Sequence, residues 1–259
     1  MVKKKGLKMA DKPNIKKMCL ICMDRTGSNM ISSRLNTHPR IRFYNELFHR
    51  QYVIFQDDRV NGSVEMVSKR DRDPAAFISQ VWSGGYEPSE DLENIDGIGF
   101  KLFINHNAEA LRYVVNTNAK LIFLRRRNPL LRFSSFKIAV RTGEWKRNEA
   151  NGEAPAKKAK VKFHAPEFRA YMNNFQTLET LLEMTLNRWN RKYFNVWYED
   201  FVQQDIVWKN LVRYLGYDVA DFGESPLLKQ NTDDVAARFS NPDDVREYVE
   251  QMKRYDWLQ

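Results

Sequence analysis

Several features are scarce or missing. Cysteine occurs twice, at Cys19 and Cys22, in 259 residues. The pair has the Cys-x-x-Cys spacing of redox and metal motifs. It lies inside a predicted buried strand, however, and no second pair exists, so both read as small hydrophobes. No apolar run approaches the roughly 18 residues of a membrane span, so no transmembrane segment is expected. Residues 1–17, MVKKKGLKMADKPNIKK, lack the apolar segment of a secretory signal, and a cytoplasmic location is expected. No internal repeat and no metal-ligand cluster is evident, so no metal is expected.

What is present is the composition of a globular domain: 42% hydrophobic, 13% aromatic and 29% charged residues. The length suits one domain, or one domain with a lobe. The formal charge of +9 is unevenly placed. Residues 1–17 hold seven lysines against one aspartate, and residues 144–162 hold six Lys or Arg against three glutamates. These two segments account for the whole excess. A nucleic-acid binder would carry it on the folded body, so no nucleic-acid partner is expected. Residues 1–17 read as a flexible basic tail and 18–259 as the domain, with a mobile loop over 142–165 that lacks periodicity.

Strand-like and helix-like segments alternate along that domain. Strands are expected at 19–23, 41–48, 97–104, 119–126 and 193–199, bounded by turn residues. Helices are expected after residue 28, near 74–82, at 107–116, from Asn128-Pro129 to about 141, at 166–191, at 205–216 with Asp205 as N-cap, and near 242–253. This alternation predicts a single α/β domain with a central, mainly parallel sheet flanked by helices. Ligands of such sheets bind beyond the carboxyl ends of the strands, which directs attention to the loops after the first and fourth strands.

The first loop reads Asp24-Arg25-Thr26-Gly27-Ser28-Asn29. A strand, a glycine turn and a helix start form an anion cradle, because the first N–H groups of a helix have no partner within it. A nucleoside-triphosphate loop would read G-x-x-x-x-G-K-[ST]. Here the first glycine and the lysine are missing, and Arg25 precedes the glycine instead. The second loop lies in LIFLRRRNPLLRFSSF. Arg127 ends the strand, Asn128 fits an N-cap, and Ser135 follows about two helical turns later, or roughly 10 Å along the axis. Arg127 and Ser135 are expected to pinch one anion there. Strand alternation sends Arg125 and Arg126 to opposite faces.

Together these motifs resemble the sulfotransferases that use 3′-phosphoadenosine 5′-phosphosulfate (PAPS). Arg25-Thr26-Gly27-Ser28-Asn29 resembles the loop that holds the 5′-phosphosulfate in that family. Arg127-Asn128 with Ser135 resembles its 3′-phosphate motif. Tyr198-Glu199-Asp200-Phe201 followed by LVRYLGY resembles its Tyr-Glu-Asp segment and the helix after it. The likeness covers residues 19–46, 97–141 and 193–217. Its flavour is that of bacterial carbohydrate and lipid sulfotransferases of the nodulation-factor or trehalose type. Arg25 and Asn29 depart from the usual Lys and hydroxyl residue.

The resemblance implies a P-loop-like sulfotransferase fold and a sulfuryl transfer without metal, leaving adenosine 3′,5′-bisphosphate as product. Arg25 and Lys101 are the candidates to stabilise the leaving charge. Glu46 or His106 is the candidate general base. His38 and His49 are weaker candidates. Tyr198 either approaches the adenine or is a core aromatic. Lys229 either reaches a phosphate or acceptor or is solvated. The acceptor is a small molecule or a glycan, and Trp82, Tyr86 and Trp145 either stack on a sugar or pack. The rival readings are a P-loop kinase-like phosphotransferase, a non-catalytic nucleotide- or glycan-binding module, and a nucleic-acid binder driven by the tail.

Overall fold

A computed structural model of the chain describes residues 15–56, 59–88, 92–143, 159–223 and 234–259. Strands β1 (Lys16–Cys22), β2 (Ile41–Glu46), β5 (Gly97–Phe103), β6 (Lys120–Arg125) and β7 (Tyr193–Trp197) form one sheet in the order β2-β5-β1-β6-β7. All four pairings are parallel. The expected α/β domain is therefore present. A separate hairpin, β3 (Val53–Gln56) and β4 (Arg59–Asn61), follows β2.

The helices are α1 (Ser28–Leu35), α2 (Val64–Arg72), α3 (Pro74–Trp82), α4 (Ala108–Asn116), α5 (Pro129–Thr142), α6 (Ala165–Arg188), α7 (Tyr198–Gln203), α8 (Asp205–Leu215) and α9 (Pro242–Gln251). No helix of the described residues is long and apolar enough to cross a membrane.

Alternation along β1 builds two cores at once. Cys19, Ile21 and Met23 face α3, α4 and α6 through Phe77, Trp82, Val114 and Phe175. Met18, Leu20 and Cys22 face α1 and α8 through Ile31, Leu35, Trp208 and Leu211. Successive strand side chains point to opposite faces, so the two cysteines serve different cores as buried free thiols. A third cluster joins α5 and α9 to Val161, Phe163 and Phe239.

Boundaries differ in informative places. β1 starts at Lys16, inside the span read as a tail, because Lys16 pairs with Gly97 and donates its Nζ to the Gly216 carbonyl at 2.9 Å. Residues 159–164 of the expected loop are anchored: Val161 bridges Phe239, and Val161 and Phe163 are buried. Residues 144–158, with Trp145, lie outside the described residues. α2, the β3–β4 hairpin and α7 were not expected. Tyr198 and Glu199 start α7, with Asp200 following, instead of ending a strand. Asp205 is the first helical residue of α8, and Gln204 occupies the N-cap. Trp82 is buried in the core and so has no face to offer a sugar, whereas Trp189 is exposed.

Candidate active site

The parallel sheet places the carboxyl ends of β2, β5, β1, β6 and β7 on one edge. Arg25, Glu46, Lys101, His106, Arg127 and Tyr198 lie at or just beyond that edge, and Ser135 lies on the helix that follows β6.

Between β1 and α1 the chain turns through Arg25 at φ 57° and Gly27 at φ 87°. Both are left-handed, a region that glycine enters freely and other residues rarely. Gly27 is also required sterically, because a Cβ there would overlap the Tyr198 ring. Thr26 is buried and donates its hydroxyl to the Met23 carbonyl at 2.7 Å, tying the turn to the strand. Gly27 is the N-cap of α1 and supplies no side-chain acceptor. The first-turn N–H groups thus face the loop without a side-chain cap, which suits an external anion.

Arg25 leaves this loop toward α5. Its Nε and Nη2 donate to the Ser135 hydroxyl at 2.9 and 2.6 Å, joining the two motifs. Arg126 supports the loop from behind. Its Nη1 donates to the Arg25 carbonyl at 3.1 Å, and its guanidinium lies 4.6 Å from the centroid of the Tyr198 ring. Arg125 points the other way, onto Glu183 and Asn195, as alternation requires.

Arg127 does not meet Ser135 in this structure. Its guanidinium forks onto Asp200 at 2.6 and 2.8 Å and is about half exposed at 48%. The backbone N–H groups of Arg127 and Asn128 donate to Glu199. Asn128 caps α5 by accepting from the Leu131 N–H at 3.0 Å.

Lys101 is the most buried cation of the site, with 1% of its surface exposed. It donates to Asn29 Oδ1 at 2.6 Å and pairs with Glu46 at 3.1 Å. A β-bulge produces that pair. Tyr44 lies opposite Phe100, yet Glu46, not Asn45, lies opposite Lys101. The extra residue turns Glu46 onto the face of Lys101, where regular alternation would have turned it away. Burial pushes the Glu46 carboxyl up, but the attraction and hydrogen bond of Lys101 outweigh it, leaving the pKa below its ordinary value.

His106 lies just past β5. Burial drives its pKa down to about 4, with Glu46 opposing and the charges of His49, Lys101 and Arg50 assisting. The ring is therefore neutral at pH 7, and its buried Nδ1 has no hydrogen-bond partner among the described residues. The His49 ring stands edge-on to it at 6.3 Å. His38 is remote, packed between Tyr217 and Phe222. Lys229 lies outside the described residues.

Sequence reasoning did not single out a buried layer under the loop. Burial raises the pKa of Asp24, against the nearby charges of Arg132 and Arg25. Arg132 is buried on α5, donates to Glu179 at 3.1 Å and lies 3.9 Å from the centroid of the Phe175 ring. An arginine among the apolar residues of LLRFSSF was the available signal. No group of three or more His, Cys, Asp or Glu is placed to hold a metal among the described residues.

No protein-family profile matches the chain, and no curated protein matches it by sequence. Solved structures are similar to it as follows. The mouse sulfotransferase SULT7A1 complexed with PAP is 14% identical with a TM-score of 0.44, over 83% of this chain and 62% of that one. This chain thus spans less than two thirds of that protein's length. The sulfotransferase domain of the Synechococcus PCC 7002 olefin synthase is 17% identical with a TM-score of 0.45, over 92% of this chain and 84% of that one. A sulfotransferase from Alicyclobacillus acidocaldarius is 16% identical with a TM-score of 0.46, over 93% of this chain and 96% of that one.

Proposed function

We propose that this chain transfers a sulfuryl group from PAPS to a hydroxyl or amine of a carbohydrate, glycolipid or small-molecule acceptor. The observation that carries the reading is the bond from Arg25 in the first loop to Ser135 in the second motif, which makes one continuous anion site from both. The loop Arg25-Thr26-Gly27-Ser28-Asn29 holds the 5′-phosphosulfate on its N–H groups. Arg127 and Ser135 take the 3′-phosphate. The ion pair that now engages Arg127 is half exposed, and such pairs contribute only about 0–1 kcal/mol, so a phosphate can displace Asp200. Tyr198 backs the loop beside the nucleotide.

In the transfer, the bond from sulfur to the bridging phosphate oxygen breaks as the acceptor's bond to sulfur forms. The electron pair stays on the bisphosphate, and the acceptor loses a proton. Arg25 and Lys101 offset the charge growing on the leaving oxygen, a role in which one donor commonly contributes about 2.7–4 kcal/mol. Glu46 accepts the proton. It stays ionised beside Lys101, keeps 20% of its side chain open to solvent, and stands one lysine away from the loop. The buried Nδ1 of His106 is sealed from an acceptor, which leaves only its Nε2 to compete with Glu46.

The test is thermal unfolding with adenosine 3′,5′-bisphosphate against AMP and against ATP with Mg²⁺. At about 100 times its Kd, a ligand adds roughly 2.7 kcal/mol of stability. The expected result is a shift with the bisphosphate alone, lost in Arg127→Ala and in Ser135→Ala and enlarged in Asp200→Asn. No shift, or a shift only with ATP and Mg²⁺, overturns the reading in favour of a phosphotransferase.

A further inference from the structure

Arg70 is the one buried residue of α2, with 2% of its surface exposed. Taking a guanidinium out of water costs several kcal/mol unless its donors are matched. Here they are. Nη1 donates to the carbonyls of Leu47, His49 and Tyr52 at 3.1, 2.7 and 2.8 Å. Nε and Nη2 donate to Asp71 at 2.8 and 3.0 Å.

The three carbonyls belong to one short segment, residues 47–52, that leaves β2 directly after Glu46. The segment has little regular pairing of its own, so its inward carbonyls need a donor from elsewhere. It is also the wall of the proton-accepting end of the site. The His49 N–H donates to the Glu46 carbonyl at 3.2 Å. The His49 ring is stacked on Tyr52 at 5.3 Å and stands edge-on to His106 at 6.3 Å. On its other side His106 meets the Phe103 ring at 4.7 Å.

We propose that Arg70 is a positioning residue of the candidate active site: by gathering the carbonyls of Leu47, His49 and Tyr52 it fixes the wall that keeps Glu46 and His106 in place. This rests on the function proposed above for what the site does, and on the geometry alone for what Arg70 holds. The titratable and charged groups facing His106 are Glu46 from β2, His49 and Arg50 from the segment, and Lys101 from β5. Releasing the segment hydrates His106 and withdraws His49 and Arg50, and both changes raise its affinity for a proton. The donor side, from Arg25 to Ser135, does not touch Arg70.

The experiment is an NMR titration of the His106 Cε1–Hε1 signal in the full chain, beside bisphosphate binding and thermal unfolding. In Arg70→Gln the His106 midpoint moves up from about 4 toward the ordinary histidine value of about 6.5, and bisphosphate affinity is unchanged. Arg70→Lys shows a smaller rise. A folded Arg70→Gln whose His106 midpoint stays at the wild-type value overturns the proposal. So does an equal loss of bisphosphate binding, which would make Arg70 a general structural residue. If Arg70→Gln does not fold, Asp71→Ala, which removes the carboxylate that accepts from Nε and Nη2, must move His106 the same way; no movement overturns the proposal. A wild-type chain that binds no bisphosphate refutes the sulfotransferase reading, while the titration still judges Arg70.

Discussion

Replacing Lys101 by methionine isolates the ion pair at the centre of the site. Lys101 has 1% exposure, and its Nζ lies 3.1 Å from Glu46 and 2.6 Å from Asn29. Methionine keeps most of the stem and removes the charge. Breaking a buried pair from one side costs about 3–5 kcal/mol, because the remaining charge stays desolvated. Glu46 keeps 20% of its side chain exposed and so has partial access to water, which places the cost near the lower end, about 3 kcal/mol. Removing both partners leaves no stranded charge, and such replacements are often nearly neutral. Lys101→Met combined with Glu46→Gln is therefore expected to recover most of the loss. The pH dependence gives a second handle. In the wild type, Lys101 holds the Glu46 pKa below its ordinary value, so the pair's stabilisation is present above the ordinary carboxylate range and is lost as pH falls through the lowered value. In Lys101→Met burial acts unopposed and raises the Glu46 pKa. The penalty is then largest near neutral pH and shrinks in acid as Glu46 takes up a proton. Urea unfolding at pH 7 and at pH 5 reads both effects. A double variant as unstable as the single one, or a penalty equal at the two pH values, would refute the ion-pair account.

Two further outcomes follow from burial and backbone geometry. Gly27→Ala places a Cβ in the Tyr198 ring at φ 87°, so it should cost more than the roughly 1–2 kcal/mol of the left-handed conformation alone; chemical denaturation gives the cost, and a loss below about 1 kcal/mol would mean that Tyr198 does not back the loop. The Cys22 thiol is pushed up to about 12, chiefly by burial, and Cys19 is raised well above its ordinary value, again chiefly by burial. Iodoacetamide at pH 8 should therefore label neither cysteine until urea unfolds the chain, and mass spectrometry showing rapid labelling of folded protein would contradict the two-core arrangement of β1.

The readable parts of the fold were those written in a local pattern. The sheet strands are short apolar runs ending at turn residues, and Pro129 behind a capping Asn128 marks a helix start within one residue. The unread parts depend on partners distant in sequence. α2 carries Val64, Met66 and Val67 among charged residues, and its one buried side chain is a cation whose partners lie about twenty residues earlier. Tyr198 continues the apolar run of β7, so the chain's turn into α7 is invisible until the Tyr198 ring is seen against Gly27. The same distinction runs through the site. A glycine turn before a helix is a local signal, and it directs attention to the right loop. Which side chains that loop meets is decided by register across strands. Arg127 and Ser135 lie two helical turns apart in a reading of α5 alone, yet Arg25 reaches Ser135 from β1 while Asp200 draws Arg127 toward α7. Glu46 is the sharpest case. Counted along β2 by alternation it faces away from Lys101, and only the extra residue at Asn45 turns it back. The candidate base thus owes its position to a bulge and, if Arg70 acts as proposed, to the segment that follows the bulge. Both devices sit at one end of β2, the edge strand of the sheet, where a bulge breaks the ladder with β5 alone.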